Sequence, residues 1–348
     1  MAVDTLDALF ESIGDLVMRH SPSGVEREVD ELLTARFESM GVRVNSDASG
    51  NLIAKIPGSG GGSLGITAHK DEIGTIVTEL SEDGRVKVRK LGGSFPWVYG
   101  EGVVDLLGEH ACVSGVLSFG SRHVSHASPQ FVHKESTPLR WSDAWVETKL
   151  TLAELKQAGI GPGTRMVIGK HRKRPFRLKN HIASYTLDNK ASLAILLEVA
   201  ARVRTPRPDV YLIASAKEEV GAIGALYFTQ RQELDALIAL EICPLAPEYA
   251  IADGVAPVLL AEDSYGLYDC SLNNAIRRAA ERRDIPLQHA VISGFGSDGS
   301  IAMKAGNVPR AACLGFPTQN THGYEIAHLG AIANCVDILT AFCEDGLS

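Results

Sequence analysis

No apolar stretch in this 348-residue chain approaches the ~20 residues of a membrane-spanning helix, so a membrane is not an expected partner. Basic excess is missing too. Lysine and arginine number 34 against 42 acidic residues, a formal net charge of −8, whereas nucleic-acid surfaces usually carry a basic balance. The densest basic stretch, KHRKRPFRLK at 170–179, reads as a solvated strand edge, and no nucleic acid is expected. The six cysteines at 112, 243, 270, 313, 335 and 343 form no CxxC and no close pair. That spacing excludes a zinc finger and a disulfide framework; Cys313 in AACLGF reads as a small buried hydrophobe. There is no internal repeat and no low-complexity segment, and GSGGGS at 58–63 is flanked so closely by strand patterns that it reads as a surface turn. The opening VDTLDALFESIGDLVMRHS sets Leu6, Leu9, Phe10, Ile13, Leu16 and Val17 on one helical face. With its acidic interruptions it is an amphipathic helix rather than a signal peptide, and the expected compartment is the cytoplasm.

With 45% hydrophobic and 22% charged residues, the chain can bury a sizeable core. Single cores stop growing near ~250–300 residues, which predicts one large domain and a smaller one. Two helices separated by SPSG lead, with Ser21 or Ser23 as a possible cap for the second. VRVNSDASGNLIAKI predicts a hairpin turning near Gly50-Asn51. From 73 to 170 short β-rich pieces alternate with Gly and Pro, interrupted by one helical candidate, TLAELKQAG. Beyond 180 a βα rhythm returns. The expected fold is α/β: a mixed, largely parallel sheet with helices on both faces, formed by residues 1–72 and 171–348. Residues 73–170 are expected to form an inserted small β-barrel-like domain.

Within the larger domain, acidic and imidazole side chains recur where apolar runs end. LGITAH ends in His69, ASYTLD in Asp188, VYLIASAKEE in Glu218-Glu219, ALIALE in Glu241, and CLGFPTQNTH in His322. Ligands of open α/β sheets bind outside the carboxyl ends of the strands, so these positions can converge. Two imidazoles with several carboxylates suit a pair of divalent metals. Asp71, two residues beyond His69 on an extended segment, is placed to reach the ring nitrogen that a metal leaves over. Asp188 read alone is an ordinary helix cap, but its two oxygens could bridge two cations. Adjacent carboxylates at 218 and 219 point to opposite sides, so one can bind metal while the other takes a proton from water. Two other patterns carry less. Gly294–Gly299 matches G-x-G-x-x-G but lacks the later acidic partner and reads as a loop lining the site, and His110, His123, His126 and His133 read as solvent-exposed.

The order and spacing of SPSGVEREV, ITAHKDEIG, GVLSFGSRH, LDNKAS, AKEEVGAIGA, ALEI, GFGSDGS and THGYEIAHL resemble the M42 family of dinuclear-metal aminopeptidases, tetrahedral peptidases and relatives once labelled endoglucanases. The resemblance implies two divalent ions per subunit, Zn²⁺ before Co²⁺ or Mn²⁺. Asp188 would bridge them, with His69 and Glu241 completing one site and Glu219 and His322 the other. It further implies Glu218 as general base acting on a hydroxide bridging the ions, Asp71 orienting His69, peptide substrates, and a homo-oligomer between dimer and dodecamer built with the β-rich insert as lid. The family usually has Asp where Glu241 stands, Arg where Lys190 stands, and Ser where Gly323 stands. A Glu at the first of these positions accompanies carboxypeptidases and N-acyl amino-acid deacylases in the wider clan. Those activities, and a catalytically idle oligomeric scaffold, are the alternatives to an exopeptidase acting on N-terminal residues.

Overall fold

The apolar runs become four adjacent parallel strands. Ser63–His69 lies between Asp209–Ser215 and Ala236–Pro244, and the last pairs on its other side with Ala311–Gln319. The structure, a computed structural model, describes residues 3–134 and 137–347. These four strands are covered on both faces, which is why they read as continuous apolar runs rather than alternations. Successive side chains still point to opposite faces. Leu212, Ile238 and Ala312 join one core, with Ile13, Leu196 and Ile332 from the helices Val3–Val17, Leu187–Arg202 and Leu329–Asp345. Ile213, Leu237 and Cys313 join a second, with Phe228 and Ala302 from the helices Ile223–Thr229 and Asp298–Lys304.

Further strands, most of them antiparallel, flank these four in the twelve-stranded sheet. Leu52–Ile56 and Val44–Ser46 extend it beyond Asp209–Ser215, joined by the expected turn with Gly50 at φ 94°. Tyr324–His328, His181–Tyr185 and Phe176–Leu178 extend the other side. The sheet is therefore mixed, parallel at its centre and largely antiparallel outside it, with helices on both faces. Two compact units divide the chain, Met1–Glu72 with Arg174–Ser348, and Ile73–Lys173. The second is a closed barrel of six antiparallel strands: Gly74–Leu80, Val86–Leu91, Trp145–Glu147, Cys112–Ser118, Gly102–Leu107 and Arg165–Ile168, in that order around the ring. Val77, Val86, Val104, Leu106, Leu117, Val146 and Met166 are buried. Closure leaves no open sheet edge.

Four local features differ from what the sequence suggests. Neither Ser21 nor Ser23 caps the second helix, Arg27–Ser39; its N-cap is Glu26, which makes no side-chain cap bond. The strand before Asp188 stops at Tyr185, earlier than the run ASYTLD suggests. Lys173, in the basic stretch expected to be solvated, is buried. His110, His123 and His126 are exposed, but His133 is half-buried, its Nδ1 3.3 Å from the Thr137 carbonyl oxygen. Among the described residues no cysteine forms a disulfide, and no helix is long and apolar enough to cross a membrane.

Candidate metal centre

Strand register sets the first two site residues side by side. Ala239 lies opposite Thr67 and Ser215 opposite His69, so the two-residue period carries Glu241 to the level of His69 at the carboxyl ends of the central strands. The others ride on turns. Glu218 and Glu219 follow Ser215, in a turn where Lys217 takes φ 58°. Gly224, just beyond, must be glycine: a Cβ there would lie 2.1 Å from Asn51 Oδ1 and 2.5 Å from the Ala216 carbonyl oxygen. Asp188 follows Thr186, at φ 67°, and keeps non-helical angles (φ −74°, ψ 103°) inside the first turn of Leu187–Arg202. It is no ordinary cap. His322, at φ 61°, occupies the turn between Ala311–Gln319 and Tyr324–His328.

All the expected metal ligands meet. His69 Nε2 is 3.0 Å from Asp188 Oδ1 and 3.9 Å from Glu241 Oε2. His322 Nε2 is 3.4 Å from Asp188 Oδ2 and 4.0 Å from Glu219 Oε1. Two triads capable of holding a metal result, His69–Asp188–Glu241 and Asp188–Glu219–His322, each with donor atoms within 4.8 Å of one another. Asp188 belongs to both, one oxygen to each. The nitrogen and carboxylate donors fit borderline divalent ions such as Zn²⁺, Co²⁺ or Mn²⁺. Glu218 belongs to neither triad, yet its Oε2 lies 4.0 Å from His69 Nε2.

Asp71 is near His69 as expected, but through a different atom. The ring's Nδ1 is 2.9 Å from the Asp71 main-chain oxygen and 3.6 Å from its carboxylate. An Nδ1–H donated to that carbonyl leaves Nε2 facing the site. The Asp71 carboxylate is engaged elsewhere: it accepts the backbone N–H of Glu218 at 2.9 Å, that of Glu219 at 3.2 Å, and the Ser23 hydroxyl at 2.6 Å.

Three further residues had no role assigned from sequence. Glu325, 1% exposed, accepts the backbone N–H of Asp188 at 2.9 Å and of His322 at 3.0 Å. Asn189 donates from Nδ2 to the Leu240 carbonyl at 2.7 Å and to Glu241 Oε2 at 3.2 Å. Asp298, in the Gly294–Gly299 segment, opens the helix Asp298–Lys304 and accepts the hydroxyls of Thr67, at 2.9 Å, and of Ser215. The one signal of Glu325 in the sequence is a lone acid in the half-buried strand YEIAH; that of Asp298 is an acid within a glycine run.

In the protein alone this concentration of carboxylates is electrostatically costly. Burial raises Glu218 and Glu241 well above the usual carboxylate range, and takes Glu219 to about 7. Burial also pushes Asp188 upward, but hydrogen bonds with His322 and His69 outweigh it and hold the group well below its ordinary value. Burial alone would lower both imidazoles. Contact with Asp188 and the surrounding carboxylates reverses the sign, so His322 rises to about 10 and His69 well above its ordinary value. Buried acids whose charge is resisted in this way are groups that bound cations would relieve.

Known proteins share this arrangement of chain. An aminopeptidase from the archaeon Desulfurococcus kamchatkensis superposes with a TM-score of 0.88 at 23% identity, covering 98% of this chain and 96% of its own. The Pyrococcus horikoshii TET1 peptidase superposes at 0.86 with 22% identity, covering 96% and 99%. The lysyl aminopeptidase of Pyrococcus furiosus is 23% identical over 330 residues, 91% of each chain. Residues 50–338 match the family described as M42 glutamyl aminopeptidase, and with most of its length inside that match the chain belongs to the M42 peptidase family.

Proposed function

We propose that this M42 peptidase removes N-terminal residues from peptides, with His69, Asp188 and Glu241 holding one divalent cation and Asp188, Glu219 and His322 a second. Membership of the family makes the chain a metal-dependent aminopeptidase; the ligand assignment is our own reading. The observation that carries it is the two-sided use of Asp188, whose Oδ1 lies 3.0 Å from one imidazole and Oδ2 3.4 Å from the other. Bound divalent cations supply Lewis acidity toward a scissile carbonyl and lower the pKa of a water.

The chain's own groups then have defined tasks. Glu218 stands outside both triads and is raised in pKa by burial, the condition of a carboxylate that can take a proton from water and return it to a leaving amine. Asp71 fixes the backbone beneath it through the Glu218 and Glu219 amides. Asn189 holds Glu241 Oε2, so a carboxylate one methylene longer than the family's usual Asp still lies 3.9 Å from His69 Nε2.

Zn²⁺ is the native ion in this reading, with Co²⁺ or Mn²⁺ as substitutes, and the working compartment is the cytoplasm. The Pyrococcus horikoshii TET1 peptidase can assemble into a tetrahedron or a large octahedral shell. For this chain we propose a homo-oligomer between dimer and dodecamer, in whose assembly the barrel unit Ile73–Lys173 takes part.

The test is hydrolysis of aminoacyl-anilides, free peptides and their N-acetylated and C-amidated forms, after chelation and reloading with Zn²⁺, Co²⁺ or Mn²⁺. Cleavage that requires a free amine and tolerates C-amidation supports the reading. Cleavage restricted to acylated substrates, or to those with a free carboxylate, would replace it with the deacylase or carboxypeptidase that Glu241 suggests. Inactivity of every reloaded form would leave an oligomeric scaffold.

A further inference from the structure

The second triad is built on turns, and one buried carboxylate ties two of them together. His181–Tyr185 and Tyr324–His328 run antiparallel, with Ser184 opposite Glu325 and Tyr185 opposite Tyr324. Asp188 lies just past the end of the first strand and His322 just before the start of the second. Each turn contains a non-glycine residue in the left-handed region, Thr186 at φ 67° and His322 at φ 61°. L-residues adopt that conformation rarely, and it persists where surrounding structure over-determines it. The His322 side chain is 36% exposed, so packing immobilises the ring less than it does His69, whose side chain is 2% exposed.

From this we infer that Glu325 is a positioning residue for the Asp188–Glu219–His322 site. Its Oε2 takes the Asp188 amide at 2.9 Å and its Oε1 the His322 amide at 3.0 Å. One rigid carboxylate thereby sets the distance between the shared ligand and the imidazole that completes the site. Glu325 itself is fixed in the strand ladder and 1% exposed. His69 and Glu241 do not depend on it, because strand pairing carries them. This inference rests on the two-cation reading and deepens it.

Substitution separates the positions of the two amides. In Glu325→Gln one oxygen still accepts an N–H, while the side-chain amide confronts the second N–H donor to donor. In Glu325→Asp the shorter side chain cannot span both. The experiment is titration of the metal-free protein with Co²⁺, followed by calorimetry and visible absorption, for wild type, both Glu325 variants and His322→Ala. Wild type is expected to bind two equivalents with distinct spectra. Both Glu325 variants should weaken one equivalent by about 10–100-fold, the range for loss of groups that orient metal ligands, and disturb the other, which shares only Asp188 with it, far less. The weakened spectrum should be the one that His322→Ala abolishes, and either Glu325 variant suffices should the other fail to fold. Equal weakening of both equivalents, or of neither, overturns the positioning role. A wild type that takes up no Co²⁺ overturns the two-cation reading itself, an outcome distinct from the first.

Discussion

The two halves of the site are held by different means. His69 and Glu241 are carried by central parallel strands, whose ladder and flanking cores fix them. Glu219 and His322 project from turns containing positive-φ residues at Lys217 and at His322 itself. There a ladder is replaced by buried carboxylates that gather backbone amides: Asp71 takes those of Glu218 and Glu219, Glu325 those of Asp188 and His322. A charged acceptor bound to N–H groups is stronger than a neutral one, and a turn so anchored can place a ligand without a strand. The residues that make a site at the strand ends precise need not touch what the site binds.

The comparison can be broken at several points. The largest effect is expected from Glu218→Gln, which should lower kcat by about 10²–10⁴-fold while metal analysis still finds two equivalents. Unchanged turnover would remove Glu218 as the base. Asp71→Asn should next weaken metal binding by about 10–100-fold. It replaces one acceptor on the Glu218–Glu219 turn with a donor and leaves the main-chain oxygen that faces His69. Loss centred on the triad containing Glu219 is the expected pattern in a Co²⁺ titration; loss centred on the His69 triad would instead favour the ring-orienting role read from the sequence.

Metal removal sharpens the electrostatic side. Chelation should lower the melting temperature, because a ligand present at about 1,000 times its Kd stabilises the folded state by ~4 kcal/mol. The gap between loaded and chelated protein should widen from pH 6 to pH 9. His322, raised to about 10, stabilises the metal-free fold fully below its ordinary value of 6.5, and that contribution fades as pH climbs toward 10. Glu219, raised to about 7, acts in the same direction, since the metal-free fold loses stability as that buried acid ionises. Cation uptake meanwhile competes with fewer protons. Melting curves at several pH values check this, and a gap that narrows would reverse the assignment. Ser23→Ala should have the smallest effect, about 1 kcal/mol in chemical denaturation, with turnover nearly preserved, because it removes only one of the donors on Asp71.

Much of this was legible beforehand. Central strands covered on both faces leave long apolar runs, and acids or imidazoles that interrupt such runs at their carboxyl ends are conspicuous, so His69, Asp188, Glu218, Glu219, Glu241 and His322 could be picked out and are found together. The barrel was foreshadowed by short strands spaced by glycine and proline. The anchors were less visible. A carboxylate bonding to a remote backbone N–H leaves no period in the sequence, because its partner is set by the path of a turn and not by any side chain. For that reason no pattern in the sequence marks Glu325, and spacing points Asp71 at the ring of His69 where its carboxylate serves two amides. Ser23 shows the same blindness: a serine before a helix suggests a cap, yet its hydroxyl donates to a carboxylate 48 positions away.

The central claim is that one carboxylate serves two cations. The most direct measurement is the metal content of wild type and Asp188→Ala after loading with Zn²⁺ and gel filtration, with circular dichroism confirming that both are folded. The account predicts two equivalents in the wild type and loss of both from the variant, since each triad loses a ligand. An Asp188→Ala protein that retains two tightly bound equivalents would contradict it.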